Sequence, residues 1–234
     1  MPTASSPWPA IGAGFARSRA TLGLALAVGL AAVTRDLLEA PKAEGFLPRG
    51  APVALAILVF AVLARRDLRS LGFRATPEPS VRWWARATLV VGLGMGALFV
   101  VVVLAWHAFV GEIRVPRLFH ARSDVLPFLV QACLVAPVVE ESVYRLALCA
   151  PLAPLIGRVG TVVVGGFVFA FLHVRYGHPS LDNQVAGFVL TWAYLRSGTL
   201  WVPIALHALG NLCVAIFHVG LLYGWPPLPW LRAA

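Results

Sequence analysis

Long apolar stretches alternate with short polar connections along almost the whole chain. A helix that crosses the hydrocarbon core of a membrane needs roughly 20 predominantly apolar residues, and several of these stretches are near that length. They lie at about residues 20–34, 51–64, 87–110, 125–150, 160–174, 184–195 and 199–223. The shorter ones would borrow flanking polar residues or lie inside a helical bundle.

This pattern predicts an all-α fold, a polytopic integral membrane bundle of about seven to eight transmembrane helices. The eighth helix depends on whether the stretch 125–150 is broken at its prolines. No soluble domain, internal repeat or low-complexity tract is visible, so a single membrane domain is expected over residues 1–234. The first stretch follows Arg17 and Arg19, and we interpret it as an uncleaved signal anchor.

The composition supports the membrane class. Of the 234 residues, 59% are hydrophobic and 12% charged, with a mean hydropathy of +0.82, which few water-soluble domains approach. The formal charge of +9 does not indicate nucleic acid, because the cations flank apolar stretches as the positive-inside rule expects. That rule places the N-terminus and the 65–86 loop inside, and the 35–50 connection outside. The loop contains Arg65, Arg66, Arg69, Arg74, Arg82 and Arg86.

The stretch VVEESVYR places two carboxylates and a guanidinium inside an apolar segment. An acidic side chain at mid-membrane costs about 2.5 to 3.5 kcal/mol on insertion scales, so adjacent glutamates need compensation. On a helix Glu141 and Arg145 share a face and can pair, whereas Glu140 is turned by about 100° and is left to face a cavity. The pair alone fits a purely structural role, but Glu140 is a candidate for proton transfer.

Two further apolar stretches carry polar groups at helical spacing. Phe169 and His173 occur in FAFLH, and His207 and Asn211 occur in HALGN, each pair four residues apart. Together with Glu140 they supply a base, a histidine to orient water, and two donors for an oxyanion, as amide hydrolysis by activated water requires. The remaining polar candidates are assigned to loops, interfaces or packing: His107, His120, His178, His218 and Gln131.

EESVYR, FAFLH and HALGN resemble the EExxxR, FxxxH and HxxxN motifs of the CAAX protease and bacteriocin-processing enzyme family. This family includes the Ras-converting CAAX endopeptidase and bacterial intramembrane glutamic proteases. All three motifs occur in the family's order within residues 138–211, whereas the first half of the chain matches only in its hydrophobic helices.

The resemblance implies a role for each matching residue. Glu140 would be the general base, with His173 holding the attacking water, and His207 and Asn211 would form the oxyanion hole. The supporting residues would be Glu141 and Arg145, as an ion pair that fixes the helix of Glu140, and Phe169, which would pack the site. No metal or organic cofactor is implied. Simple alternation of spans places Glu140 well along its helix but His173 near the end of the next apolar stretch, so the two side chains would lie at different depths in the membrane. A helix tilted or broken near Pro137, or one that continues past His173, would remove this difference.

Two other functions stay open at this point. Glutamates and histidines also bind divalent metals, so a metal-dependent membrane protease is an alternative, although HExxH is missing. A non-enzymatic transporter or immunity protein could use the same polar cluster for ions or a partner.

The expected protein is an intramembrane endopeptidase acting on a membrane-associated protein or peptide, with the lipid bilayer as its other partner. The Ala, Val, Arg and Pro richness suits a bacterium, so the expected location is the bacterial inner (plasma) membrane. There, relatives trim leader peptides or, in a sortase-like role, C-terminal tails.

Overall fold

The computed structural model describes residues 8–39, 46–177, 179–226 and 230–233. Parts of both Pro-rich terminal tails and His178, which the sequence assigns to a loop, lie outside the described residues. The protein is mostly helical, as predicted. Its long helices are α1 (Arg19–Glu39), α2 (Phe46–Leu63), α3 (Val81–Val110), α6 (Ala150–Arg175), α7 (Leu181–Ser197) and α8 (Trp201–Leu222), with the short helices α4 (Val125–Val130) and α5 (Ala136–Glu141) before α6.

Helices α4, α5 and α6 form one helical run, because π-helical turns at Gln131–Val135 and Ser142–Cys149 join them. Pro137 has no N–H to donate to the preceding turn, so regular i→i−4 bonding cannot be kept there, and the chain takes the wider π turn. The irregularity expected near Pro137 is therefore a change of helix type. The break itself lies at Gly157, whose φ of 70° and ψ of 178° are not helical.

Four segments of the described chain are long and apolar enough to cross a membrane. They are Arg19–Leu38, Val81–Val110, Arg122–Arg175 and Trp201–Leu222. The fourth and fifth apolar stretches both lie in the segment Arg122–Arg175, on either side of the break at Gly157, and α2 and α7 are not among the four. The larger number therefore stays a prediction.

The chain divides into two compact units. The first comprises Met1–Pro79 and Val135–His207, and the second comprises Ser80–Leu134 and Ala208–Ala234. The expected single domain over 1–234 stays a prediction.

The first unit has two clusters of buried apolar side chains. We call them the upstream cluster, centred on Phe15, Phe60, Leu71, Tyr194 and Leu195, and the site cluster, formed by Val33, Val143, Tyr144, Leu148, Phe169, Leu172 and Leu190. Helix α1 packs closely against the π turn Ser142–Cys149. The backbones are so near that a Cβ at Gly29 would overlap the carbonyl oxygen of Ala147. Glycine at position 29 therefore permits this approach.

The second unit contains a feature that the sequence did not predict. Strands β1 (Ile113–Val115) and β2 (Leu231–Ala233) pair in parallel over three residues each. Beside them the rings of His107 and Trp230 stack with centroids 4.2 Å apart. The all-α prediction is thus correct for the bulk of the chain, and strands this short escape a periodicity argument.

Candidate active site

Glu141 is the most enclosed acidic side chain of the first unit among the described residues, with no accessible surface. Its Oε2 lies 2.8 Å from Nε of Arg145, which is equally enclosed, and Nη2 of Arg145 donates to Oε1 at 3.5 Å. The predicted i,i+4 ion pair is therefore present. The 2.8 Å contact lacks hydrogen-bond alignment, so it contributes as an ion pair rather than as a directed bond.

His207 binds the same carboxylate from α8. Its Nδ1 lies 2.9 Å from Oε1 of Glu141, and since a carboxylate can only accept, Nδ1 carries the hydrogen and donates it. Glu141 thus bridges Arg145 and His207, two cationic or potentially cationic groups. The sequence predicted the first of these contacts but not the second, because no spacing rule links residues 66 positions apart.

Phe169 is the common neighbour of the site. Its ring lies 4.4 Å from the His173 ring and 5.9 Å from the His207 ring, measured between centroids. Its face also receives the guanidinium of Arg145, with Cζ 4.6 Å from the ring centroid. A cation over an aromatic face is attracted by the ring quadrupole, which partly offsets the burial of Arg145. Phe169 therefore contacts three of the predicted site residues at once.

His173 has one defined tautomer when it is neutral. Its Nδ1 lies 3.0 Å from the carbonyl oxygen of Phe169, one turn earlier in α6, so Nδ1 donates and Nε2 keeps its lone pair. The side chain is buried, at 9% exposure. Helix α6 ends at Arg175 with Tyr176 as its cap, so the expectation that the helix continues past His173 is confirmed.

Glu140 differs from Glu141 in its exposure. It is buried at the end of α5 but keeps 7% of its surface accessible, whereas Glu141 has none. Adjacent positions on a helix differ in direction by about 100°, so the two carboxylates meet different surroundings.

Asn211 lies in the second unit. Its Nδ2 donates to the carbonyl oxygen of Ala132 at 2.6 Å. Ala132 belongs to the π turn Gln131–Val135, and π turns often occur at functional sites. An amide nitrogen carries two hydrogens, so one N–H of Asn211 remains for another acceptor.

Sequence reasoning missed a polar group in the first unit. Oδ2 of Asp36, in α1, accepts a hydrogen bond of 2.6 Å from the Tyr144 hydroxyl, and the Tyr176 hydroxyl lies 3.1 Å from the same oxygen. The available signal was an aspartate beside Arg35 near the end of a largely apolar helix. Such a residue is ordinarily assigned to the membrane interface, so it raised no expectation.

The described residues contain no group of three His, Cys, Asp or Glu side chains arranged to hold a metal ion. Glu141 and His207 form a pair, and the third neighbour of that carboxylate is the cation Arg145. A guanidinium cannot act as a metal ligand, because it has no lone pair to offer.

Comparison with known proteins gives one match. Residues 121–213 match the family model described as type II CAAX prenyl endopeptidase, Rce1-like. No curated protein and no solved structure matches the chain. The matched residues contain all three sequence motifs, and the family is one of membrane proteases. Residues 121–213 therefore belong to the CAAX protease family.

Proposed function

We propose that this protein is an intramembrane glutamic endopeptidase, which hydrolyses a peptide bond in or near the membrane with water activated by Glu140. The observation that carries the proposal is the set of contacts joining the three motifs. Glu141 of the first motif accepts from His207 of the third, and Phe169 of the second contacts both His173 and His207.

The two histidine rings suit different steps. With Nδ1–H donated to Phe169, neutral His173 offers Nε2 as an acceptor for one hydrogen of a water molecule. Glu140 accepts the other hydrogen as the water oxygen attacks the peptide carbonyl carbon. A C–O bond forms, and Glu140 then passes the proton to the amine nitrogen as the C–N bond breaks.

His207 would stabilise the negative charge that develops on the oxygen of the peptide carbonyl. Because its Nδ1–H is donated to Glu141, Nε2 carries a hydrogen only when the ring is an imidazolium. In that form Nε2–H donates to the oxyanion, beside the negative charge of Glu141. The second N–H of Asn211 is the other proposed donor, and preorganised donors of this kind are among the strongest contributors to acyl-transfer catalysis.

The substrate we propose is a membrane-associated protein with a leader or a C-terminal sorting tail, processed in a sortase-like manner. The proposed setting is the inner (plasma) membrane of a bacterium, crossed by seven to eight helices. The N-terminus and the 65–86 loop would lie inside, because the arginines concentrate there.

The test compares wild type with Glu140→Gln, which keeps the shape of the side chain but removes the proton acceptor. Both are expressed in a strain that lacks the gene, and new protein termini in the membrane fraction are mapped by mass spectrometry. Termini that depend on wild type and vanish with Glu140→Gln at equal protein yield support the proposal. Wild-type processing by Glu140→Gln would overturn it.

A chelator separates the glutamic mechanism from its metal-dependent alternative. Purified protein is assayed on a fluorogenic peptide taken from a mapped cleavage site, before and after exhaustive chelation, and its metal content is measured. Activity that persists without metal supports activation by Glu140. Stoichiometric metal, with activity lost to the chelator and restored by zinc or cobalt, would show that the protein is a metal-dependent protease instead.

A further inference from the structure

Asp36 connects helix α1 to two residues of the long helical run. Its Oδ2 accepts from the Tyr144 hydroxyl at 2.6 Å, and the Tyr176 hydroxyl lies 3.1 Å from Oδ2 and 3.0 Å from the Asp36 carbonyl oxygen. Asp36 is 7% exposed and Tyr144 is fully buried. We call these three residues the Asp36 cluster.

The face of α1 that carries Asp36 packs against the site cluster. Asp36 and Leu37 lie three and four residues after Val33, so the three residues belong to one stripe of the helix surface. Val33 is a buried member of the site cluster, and Leu37 packs against it. The Asp36 carboxyl group therefore lies next to apolar side chains, where burying a polar group without hydrogen-bond partners costs free energy.

The tyrosines of the Asp36 cluster contact His173 or its neighbour Phe169. The ring of Tyr144 meets Phe169 edge-on at 5.6 Å, and the carbonyl oxygen of Phe169 accepts from His173 Nδ1. Tyr176 caps α6 three residues after His173, and the two rings are 6.4 Å apart. Asp36 thus accepts from one tyrosine that contacts Phe169 and from one that contacts His173.

We propose that Asp36 is a positioning residue for His173. By accepting from Tyr144 and Tyr176 it holds the Phe169 ring, which lies against the His173 ring, and the end of α6, and so keeps the His173 ring where Nδ1 donates to the Phe169 carbonyl oxygen. An apolar side chain at position 36 would leave the buried Tyr144 hydroxyl without this acceptor, and the ring and its neighbour Phe169 would shift to find another. Asp36 lies outside the family-matched residues 121–213, so it extends the site into the first half of the chain.

The value of this positioning to catalysis rests on the proposed function, but the position of His173 is measurable without a substrate. The full-length protein is labelled with ¹⁵N-histidine in detergent, and the ring nitrogens are observed by NMR. The six histidines are separated by assigning His173 as the signal lost in His173→Gln. Protonated and lone-pair ring nitrogens resonate far apart, so the spectrum reports which nitrogen of His173 carries the hydrogen.

Three variants form the series. Asp36→Leu removes the carboxyl acceptor but keeps the backbone carbonyl oxygen near Tyr176. Tyr144→Phe removes one donor, and Asp36→Asn keeps a side-chain acceptor oxygen as a conservative rescue. Tyr194→Phe is the matched control, because Tyr194 is also fully buried and donates one hydrogen bond, to Leu71 O at 2.9 Å, but belongs to the upstream cluster.

Asp36→Leu and Tyr144→Phe are expected to give His173 a mixture of tautomers. Asp36→Asn should lie nearer to wild type, and Tyr194→Phe should match it. A wild-type His173 spectrum in folded Tyr144→Phe and Asp36→Leu would overturn the proposal. If Asp36→Leu does not fold, Tyr144→Phe decides, and a wild-type His173 spectrum in that variant overturns the proposal.

Kinetics on a mapped substrate give the second measurement. Misplacing a catalytic group by a small distance can cost on the order of 100-fold, so kcat of Asp36→Leu should fall by about 10- to 100-fold with KM little changed. An equal fall in Tyr194→Phe would indicate general destabilisation and overturn the proposal. If Glu140→Gln cleaves like wild type, the proposed function fails, whereas the NMR result still decides what Asp36 does to His173.

Discussion

Two enclosed carboxyl groups of the first unit, Glu141 and Asp36, are held in different ways. Glu141 contacts the guanidinium of Arg145 and the ring of His207, whereas Asp36 accepts from the phenols of Tyr144 and Tyr176. Loss of one charged partner of Glu141 leaves an opposite charge buried without its counterion. Loss of one phenol removes only a single hydrogen bond to Asp36. The two groups should therefore differ in how much stability and activity depend on them.

The largest effect is expected from Glu141→Gln. It leaves Arg145 as a buried charge without its counterion, and breaking a buried pair in this way costs about 3 to 5 kcal/mol. We expect a large fall in thermal stability in detergent, with loss of activity. The double variant Glu141→Gln/Arg145→Met should recover much of the stability and none of the activity. A stable but inert Glu141→Gln would indicate that Glu141 and Glu140 exchange roles.

The next effect concerns activity more than stability. Removing one oxyanion donor costs about 2.7 to 4 kcal/mol of transition-state stabilisation, so His207→Ala should lower kcat by about 100- to 1,000-fold. Asn211→Ala should behave alike, with KM little changed in both. The measurement is steady-state cleavage of a mapped peptide. If the two variants mainly raise KM, these residues bind substrate instead of the oxyanion.

A smaller effect is expected from Tyr144→Phe on stability. Hydrogen bonds inside helical membrane proteins contribute about 0.6 kcal/mol on average and up to about 1.7 kcal/mol. Chemical unfolding in mixed micelles should place Tyr144→Phe within that range below wild type, and Tyr194→Phe should lose a similar amount. The two should separate in the His173 spectrum, not in stability. A loss as large as that of Glu141→Gln would remove the distinction between charged and phenolic partners.

The smallest effect is expected at an ion pair that water reaches. Nη2 of Arg74 lies 2.8 Å from Oε1 of Glu78, as close as the contact of Glu141 with Arg145, but the side chains are 28% and 41% exposed. Exposed pairs contribute about 0 to 1 kcal/mol. Glu78→Gln should therefore change thermal stability little, and a change comparable to that of Glu141→Gln would show that distance, not burial, sets the effect.

The sequence was sufficient to predict contacts within one helix. The pairing of Glu141 with Arg145 follows from a spacing of four residues on one face, and the apolar stretches predicted most of the helices. It was also sufficient to identify the family from three short motifs.

Contacts between distant segments could not be predicted in this way. Tyr144 meets Asp36 across 108 positions, and neither residue differs by type from ordinary packing or interfacial residues. The break at Gly157 was also missed, because a glycine in an apolar segment is compatible with a continuous helix. Which glycine takes a positive φ depends on how the neighbouring helices pack.

The π turn Ser142–Cys149 limits how the length of this segment can vary. Its i→i+5 bonding winds the chain by less per residue than the about 100° of an α-helix, so the same residues in regular α-helix would rotate everything beyond them relative to Glu141. The face bearing Phe169 and His173 would then point elsewhere, even though every functional side chain was still present. Helix type and residue count together set the angular phase of the site, so in this segment a change of residue type should be tolerated more readily than an insertion.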